Sequence, residues 1–345
     1  MAVDWQPLVN LVARCRRFLL TTHMRPDGDG LGSMVALAAA LRAKGKSVRL
    51  VIPSSFPSRY DFLDPQREIA EFSPDQAPSL AETDAMIVID TGTWNQLGKV
   101  GDFMRGLTVP KVVIDHHPTQ DDLGALRLVD TSAEAVGRLV HEAIAALDYP
   151  LTTLAAHALF AALAMDTGWF RHRNTTAATF RLAADLTAAG AQPDELHRLL
   201  FDRNRLGRVK LAGLVMQRLT VEPSDRIAHS YILRTDYPET GAVPADSEDL
   251  VNHTLSVEGV EVGLLFLEQP AGGTKVSLRS RGKLNVGKIA EHFGGGGHAA
   301  AAGMILATDL PTLRTEVLGQ IRQAYITTGS FDVRRLFAEQ GLRKE

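Results

Sequence analysis

The chain has 345 residues, enough for about two domains at roughly 100–200 residues each. Apolar residues make up 45% and charged residues 22%, which excludes a mainly disordered chain, a fibrous repeat and a small disulfide scaffold. The 37 Lys+Arg against 40 Asp+Glu leave a formal charge of −3, so no global basic field marks a duplex-DNA binder.

Short β-rich runs alternate with Ala/Leu-rich runs in the first half. Residues 18–23 are predicted as a strand, 31–43 as a helix ended by Gly45, and 47–52 as a second strand. Residues 84–90 and 111–115 are continuous apolar runs, as strands buried on both faces require, and 126–129 add an edge strand. Strands separated by helical patterns predict βαβ units and a mainly parallel sheet flanked by helices. Residues 131–147, 152–165 and 175–189 are predicted as helices, followed by one long helix over 193–219. Beyond it come strands at 226–236, 260–268 and 275–279, with helices at 247–257, 286–293 and 310–325. The expected organisation is an α/β domain over 1–192, a helical linker over 193–219, a smaller α/β domain over 220–326 and a charged tail over 327–345.

Cys15 is the only cysteine, which excludes an internal disulfide and a thiolate zinc site and points to a reducing compartment. Residues 1–10 carry Asp4 and no basic run ahead of an apolar core, unlike a signal peptide. The most apolar stretch, 154–165, contains His157 and falls short of the roughly 20 residues of a membrane helix. A cytoplasmic protein without membrane contact is expected.

The acids fall at element ends. The first strand runs into His23, Asp27 and Asp29; the third ends at Asp90; the fourth ends Asp115-His116-His117; the helix from 152 ends at Asp166. Ligands of parallel α/β sheets sit beyond the carboxyl ends of the strands, so these eight side chains are expected in one crevice. Five carboxylates held together repel, and two divalent ions would carry the formal total from −3 to about +1. Carboxylate and imidazole without thiolate suit hard first-row ions, manganese first and magnesium or cobalt next. Eight donors suit two metals bridged by a carboxylate and a water, with Asp90, alone on its strand end, as the bridge.

Taken singly, each residue has a plainer explanation. Asp27-Gly28-Asp29-Gly30 alone is a turn, Asp90 alone a helix cap, and Asp166 alone an exposed helix end. Competing motifs fail on spacing. Gly28-x-Gly30-x-Gly32 is not a dinucleotide loop, and His141-Glu142 lacks a histidine at Ala145.

Together, His23-x-x-x-Asp27-x-Asp29, Asp90, Asp115-His116-His117 and Asp166 resemble the motifs of the DHH phosphoesterase superfamily. That superfamily includes RecJ exonucleases, nanoRNases (oligoribonucleases), cyclic-dinucleotide phosphodiesterases and family II pyrophosphatases. In the second half, Ser277-Leu278-Arg279-Ser280, Gly294-Gly295-Gly296-Gly297-His298 and Ala301-Ala302-Gly303 resemble the DHH-associated domain of the nanoRNase and 3′-phosphoadenosine 5′-phosphate phosphatase branch. The resemblance implies a DHH catalytic domain, a linker and a substrate-binding domain. It gives His23, Asp27 and Asp90 to one metal, and Asp29, Asp90, His116 and Asp166 to the other. His117 is then beside the scissile phosphate and Asp115 orients the histidines. Arg279, Ser280, Gly295, Gly296, Gly297 and His298 become the substrate-binding set. Residues 271–298 carry Lys275, Arg279, Arg281, Lys283 and Lys288 against Glu291. Arg279 and His298 are the expected phosphate contacts.

The implied activity is two-metal hydrolysis of short oligoribonucleotides to 5′-mononucleotides by an activated hydroxide, with 3′-phosphoadenosine 5′-phosphate as a second substrate. The expected partners are short RNA or small nucleotide phosphates, not long duplex DNA, and a homodimer is compatible with the sequence. The competing activities are hydrolysis of a cyclic or linear dinucleotide such as cyclic di-AMP and, from a different class, an inactive nucleotide-binding regulatory module.

Overall fold

The computed structural model describes residues 3–223 and 226–327. The chain divides into two compact units, Met1–Arg203 and Asn204–Glu345.

In the first unit the strands are β1 (Arg17–Thr21), β2 (Ser47–Ile52), β3 (Ile69–Glu71), β4 (Ala85–Ile89), β5 (Lys111–Asp115) and β6 (Leu126–Val129). The helices are α1 (Gln6–Arg14), α2 (Gly28–Ala43), α3 (Ala77–Leu80), α4 (Trp94–Gly106), α5 (Val136–Ala146), α6 (Thr153–Asp166), α7 (Ala177–Ala188) and α8 (Pro193–Phe201). All six strands are parallel, in the order β3-β2-β1-β4-β5-β6.

Both faces of the sheet are covered, so its central strands are apolar throughout. Phe18, Leu20, Ile87, Ile89 and Ile114 face a core built with α2, α5 and α6. Leu19, Met86, Val88 and Val113 face the other core, with Leu97, Val100 and Met104 of α4. Helix α2 is buried on nearly every side, which its Ala/Gly-rich sequence permits. A Cβ on Gly32 would lie 2.4 Å from the Ala158 carbonyl oxygen of α6, so glycine sets how closely the two helices approach.

The chain leaves β1 toward β2 and later returns to the other side of β1 with β4. Such a reversal opens a crevice at the carboxyl ends of the two strands, the usual ligand position in open α/β sheets.

The helix expected over 193–219 is two helices, α8 and α9 (Leu206–Gln217), interrupted at residues 202–205. Helix α8 buries Leu196 and Leu200 in the first core, whereas α9 buries Leu211 and Val215 in the second unit. The second unit adds β7 (Thr220–Val221), β8 (Ile227–Ile232), β9 (Val262–Glu268), β10 (Thr274–Ser280), β11 (Gly296–Gly297) and β12 (Ala301–Leu306). Its remaining helices are α10 (Asp236–Thr240), α11 (Val286–His292) and α12 (Leu310–Thr327). The sheet order is β11-β12-β10-β9-β8-β7, with only β8 and β9 parallel. One face packs on α11 and α12, and the other on α9 and the segment around Leu250 and Val251. The helix expected over 247–257 is a 3-10 segment, Leu250–Ser256.

The tail expected over 327–345 lies, beyond Thr327, outside the described residues. No helix among the described residues is long and apolar enough to cross a membrane.

Candidate metal centre

Each acid and imidazole is set by the local backbone. Asp27 caps the N-terminus of α2, its Oδ1 accepting from the backbone N–H groups of Asp29 (2.9 Å) and Gly30 (3.1 Å). Asp29, in the first turn of α2, points at the start of α5. Its carboxylate accepts from the N–H groups of Val136 (2.7 Å) and Gly137 (2.9 Å) and from the Ser33 hydroxyl (3.2 Å). A buried anion is favoured there because a helix N-terminus carries unpaired donors and positive partial charge. Asp90 follows β4 with φ 66°, a left-handed conformation that aspartate tolerates better than most residues. Asp115, fully buried at the end of β5, accepts through Oδ1 from the N–H groups of His116 (2.8 Å) and His117 (3.2 Å) and from His117 Nδ1 (2.8 Å).

Two imidazoles are oriented in the same way. His23 Nδ1 donates to the Met24 carbonyl and His116 Nδ1 to the Ala133 carbonyl, both at 3.0 Å. A carbonyl only accepts, so each ring keeps its proton on Nδ1 and turns Nε2 inward.

Seven of the predicted residues thereby converge. The ligand atoms of His23, Asp27 and Asp90 lie within 4.8 Å of one another, as do those of Asp29, His116 and Asp166. Asp90 stands between the two sets, with Oδ2 3.4 Å from His23 Nε2 and Oδ1 3.7 Å from His116 Nε2. His116 Nε2 is also 3.5 Å from Asp166 Oδ2. Asp90, His116 and His117 form a third cluster of the same width. There, however, His117 Nδ1 is already committed to Asp115. The eighth residue, Asp115, takes its place as the partner of both histidines.

The electrostatics are those of anions crowded out of water. Burial, then the charges of Asp90 and Asp166, hold the Asp29 carboxyl well above the usual carboxylate range. Burial likewise raises Asp90, and it pushes Asp166 up to about 6. Burial alone would lower His23, yet its contacts with Asp27 and Asp90 carry it up to about 11. For Asp27 burial acts upward, and His23 outweighs it and holds the carboxyl down. His117 is pushed up to about 9, chiefly by its bond to Asp115.

The residues fit divalent cations. Asp90 Oδ1 is buried and has no hydrogen-bond partner, as does Thr22 Oγ1 beside it. A Cβ on Gly30 would lie 2.4 Å from Thr22 Oγ1, 3.2 Å from His23 Nε2 and 3.3 Å from Asp90 Oδ2, so glycine keeps the space next to these donors open. Carboxylate oxygen and imidazole nitrogen suit hard divalent ions. These groups are able to bind a metal.

In the second unit, Arg279 on β10 is half-buried, with a guanidinium nitrogen 3.6 Å from Asp249 Oδ1. Ser280 points to the opposite face, is 7% exposed, and accepts from the Gly282 N–H. Gly296 and Gly297 pair with Gly303 and Ala302 as β11 against β12, and the His298 N–H bonds the Ala301 carbonyl at 2.7 Å. A Cβ on Gly295 would meet the Gly303 carbonyl at 2.4 Å, and Gly297 has φ 141°, so this run needs glycine to close onto β12. Of the five cations around it, Lys283 is paired with Glu261 and Arg281 bonds the Leu255 carbonyl.

Several supporting residues carried no sequence signal. Val136 and Gly137 hold Asp29 through backbone N–H groups, which leave no side-chain trace. Asn174 Nδ2 bonds the carbonyls of Glu134 (3.0 Å) and Asp166 (3.2 Å), joining the segment before α5 to the end of α6.

Comparison with known proteins agrees with this geometry. Residues 17–167 match the N-terminal domain of the DHH family, and residues 224–325 match the DHHA1 domain. A Thermus thermophilus protein named bifunctional oligoribonuclease and PAP phosphatase NrnA is 33% identical over 312 residues, covering 90% of each chain. A Bacillus subtilis protein of the same name is 28% identical over 302 residues, covering 86% of this chain and 91% of the relative. The crystal structure of an exopolyphosphatase-related protein from Bacteroides fragilis matches with a TM-score of 0.87 at 23% identity, over 93% of this chain and 96% of the other, a likeness of fold. With its acids and histidines gathered at the β1/β4 crevice and its relatives aligned over most of their length, the chain belongs to the DHH family and carries a DHHA1 domain.

Proposed function

We propose that this chain is a metal-dependent phosphoesterase that hydrolyses short oligoribonucleotides to 5′-mononucleotides. We propose that it also converts 3′-phosphoadenosine 5′-phosphate to AMP. The observation that carries this is the pair of ligand clusters with Asp90 standing between them, in a chain one-third identical to a bifunctional oligoribonuclease and PAP phosphatase.

In this proposal His23, Asp27 and Asp90 hold one ion, and Asp29, Asp90, His116 and Asp166 hold the other. Asp90 spans both because its two oxygens face different imidazoles. Manganese is the first choice, with magnesium or cobalt next. Bound divalent ions supply Lewis acidity and a source of hydroxide at neutral pH. His117, half-exposed and pushed up to about 9, supplies a proton or a positive charge to the phosphoryl oxygens. Asp115 fixes that ring through Nδ1 and leaves Nε2 for the substrate. Arg279, His298 and the backbone of Gly295, Gly296 and Gly297 bind substrate phosphate. Ser280 is left to its turn.

One panel tests the proposal: diribonucleotide, 3′-phosphoadenosine 5′-phosphate, cyclic di-AMP and pyrophosphate, each with manganese. The first two should be turned over fastest. Cyclic di-AMP in first place would make the chain a cyclic-dinucleotide phosphodiesterase. No turnover of any substrate, with manganese bound, would make it a nucleotide-binding module.

A further inference from the structure

Gln120, five residues beyond Asp115, has no part in the clusters described above, yet its amide is wedged between the two loops that carry them. Its Nε2 lies 2.5 Å from Asp115 Oδ2 and 3.0 Å from the His117 carbonyl. Both partners only accept, so the amide nitrogen must face them. Asp115 is fully buried, and its Oδ1 already serves three donors of His116 and His117. Among the described residues Gln120 is the only partner of Oδ2. Without it one oxygen of a buried carboxylate would be unpaired, and Asp115 would be free to rotate away from His117.

The other side of the amide, whose Oε1 is buried without a hydrogen-bond partner, lies against a glycine. A Cβ on Gly92 would lie 1.8 Å from Gln120 Oε1 and 2.6 Å from Nε2. Gly92 is not in the left-handed region, so glycine is required there for space and not for conformation. The two loops are then fastened by the Asp121 N–H to the Gly92 carbonyl (2.8 Å), the Trp94 N–H to Asp121 Oδ2 (2.9 Å) and Trp94 Nε1 to the Asp122 carbonyl (3.2 Å). Gln120 thus ties Asp115 and His117 to the loop that begins at Asp90.

We propose that Gln120, seated on Gly92, is a positioning residue that sets the orientation of His117 through Asp115. This deepens the assignment of His117 to the scissile phosphate and rests on it. Gln120 bonds only Asp115 and the His117 carbonyl, neither of them a proposed metal donor, so its loss should leave metal binding intact and slow the chemical step.

The test is Gln120→Met, which keeps the length of the side chain and removes the amide. Turnover of a diribonucleotide with manganese should lose 10- to 100-fold in kcat, the range found when a partner of an active-site ligand is removed. KM and the manganese affinity measured by calorimetry should stay within twofold. Histidine-selective 15N spectra of the metal-free protein should show the His117 Nδ1–H as hydrogen-bonded in the parent chain and that bond weakened in the variant. Gly92→Ala perturbs the same contact from the opposite loop and should reproduce both effects, so the idea does not rest on one variant folding. An unchanged kcat, an unchanged His117 spectrum, or losses in KM and manganese affinity that match the loss in kcat would overturn it. Failure of the parent chain itself to bind manganese or cleave a phosphoester would instead sink the phosphoesterase proposal.

Discussion

Asp90→Ala separates metal binding from folding. Asp90 is 3% exposed, its Oδ1 has no hydrogen bond, and its two oxygens reach His23 Nε2 at 3.4 Å and His116 Nε2 at 3.7 Å. Its removal takes one of three donors from the first proposed ion and one of four from the second. An ion that binds only the native state stabilises it by about 2.7 kcal/mol at a hundredfold excess over its Kd. In a unit of about 200 residues each kcal/mol moves the midpoint by about 2–4 °C, so each manganese ion bound should raise the parent Tm by about 5–11 °C. In Asp90→Ala that rise should shrink to about 2 °C or less. Nearly all phosphoesterase activity should disappear with it. The metal-free variant should still fold, because deleting Asp90 removes one of the charges that disfavour ionised Asp29. Thermal unfolding followed by circular dichroism, with and without manganese, reads both quantities. A variant that keeps the full manganese shift, or full activity, would refute the bridging role.

Two further outcomes follow from packing and charge. Gly32→Ala should destabilise the first unit by about 1–2 kcal/mol in urea unfolding. The usual helical gain of about 1 kcal/mol is outweighed by a collision at 2.4 Å with the Ala158 carbonyl, and a more stable variant would refute the close approach. In the second unit Glu222 accepts from His229 Nε2 at 3.0 Å and pairs with Arg322, and these partners hold its carboxyl at about 2 against an ordinary 4.5. Between those values the unfolded chain binds more protons. The contribution is therefore complete above pH 4.5 and lost as pH falls through about 2. Solvent screening at the half-exposed Arg322 reduces it to about 1–2 kcal/mol. Glu222→Gln should flatten the stability profile across that window, and an unchanged slope would show that the cluster contributes nothing.

The sequence is informative where one physical pattern dominates. The expected bounds 47–52, 111–115 and 126–129 are those of β2, β5 and β6. In β5 the apolar run Val112-Val113-Ile114 is bounded by Lys111 and Asp115, and β2 lies between Gly45 and Pro53. Helix α4 escapes such reading because Gly98, with φ 48°, interrupts it. The break at residues 202–205 escapes for the opposite reason. Asp202, Arg203, Asn204 and Arg205 include no proline or glycine, and only the burial of Leu196 in one core and Leu211 in another reveals two helices. The acids and histidines were legible because strand ends in a parallel sheet share one edge. What holds them was not. Gln120 becomes meaningful only once β4 and β5 lie side by side and Gly92 faces its amide.

That division of labour explains how the fold tolerates so many buried acids. Asp27 is held by N–H groups of α2, Asp29 by those of α5, and Asp115 by those of its own loop. The imidazoles of His23 and His116 are held by carbonyls. These contacts belong to the backbone, so the donors are in place before any ion arrives, and little ordering entropy opposes binding. Charge is the remaining cost, and in the metal-free protein protons meet it. His23 is carried up to about 11 and Asp166 to about 6, and Asp29 is raised by burial and by its acidic neighbours. An ion must displace those protons to reach the same atoms. The crowding that makes the cluster costly without metal is thus what selects for divalent cations, and acid competes with them by protonating the carboxylates and imidazoles that would hold them.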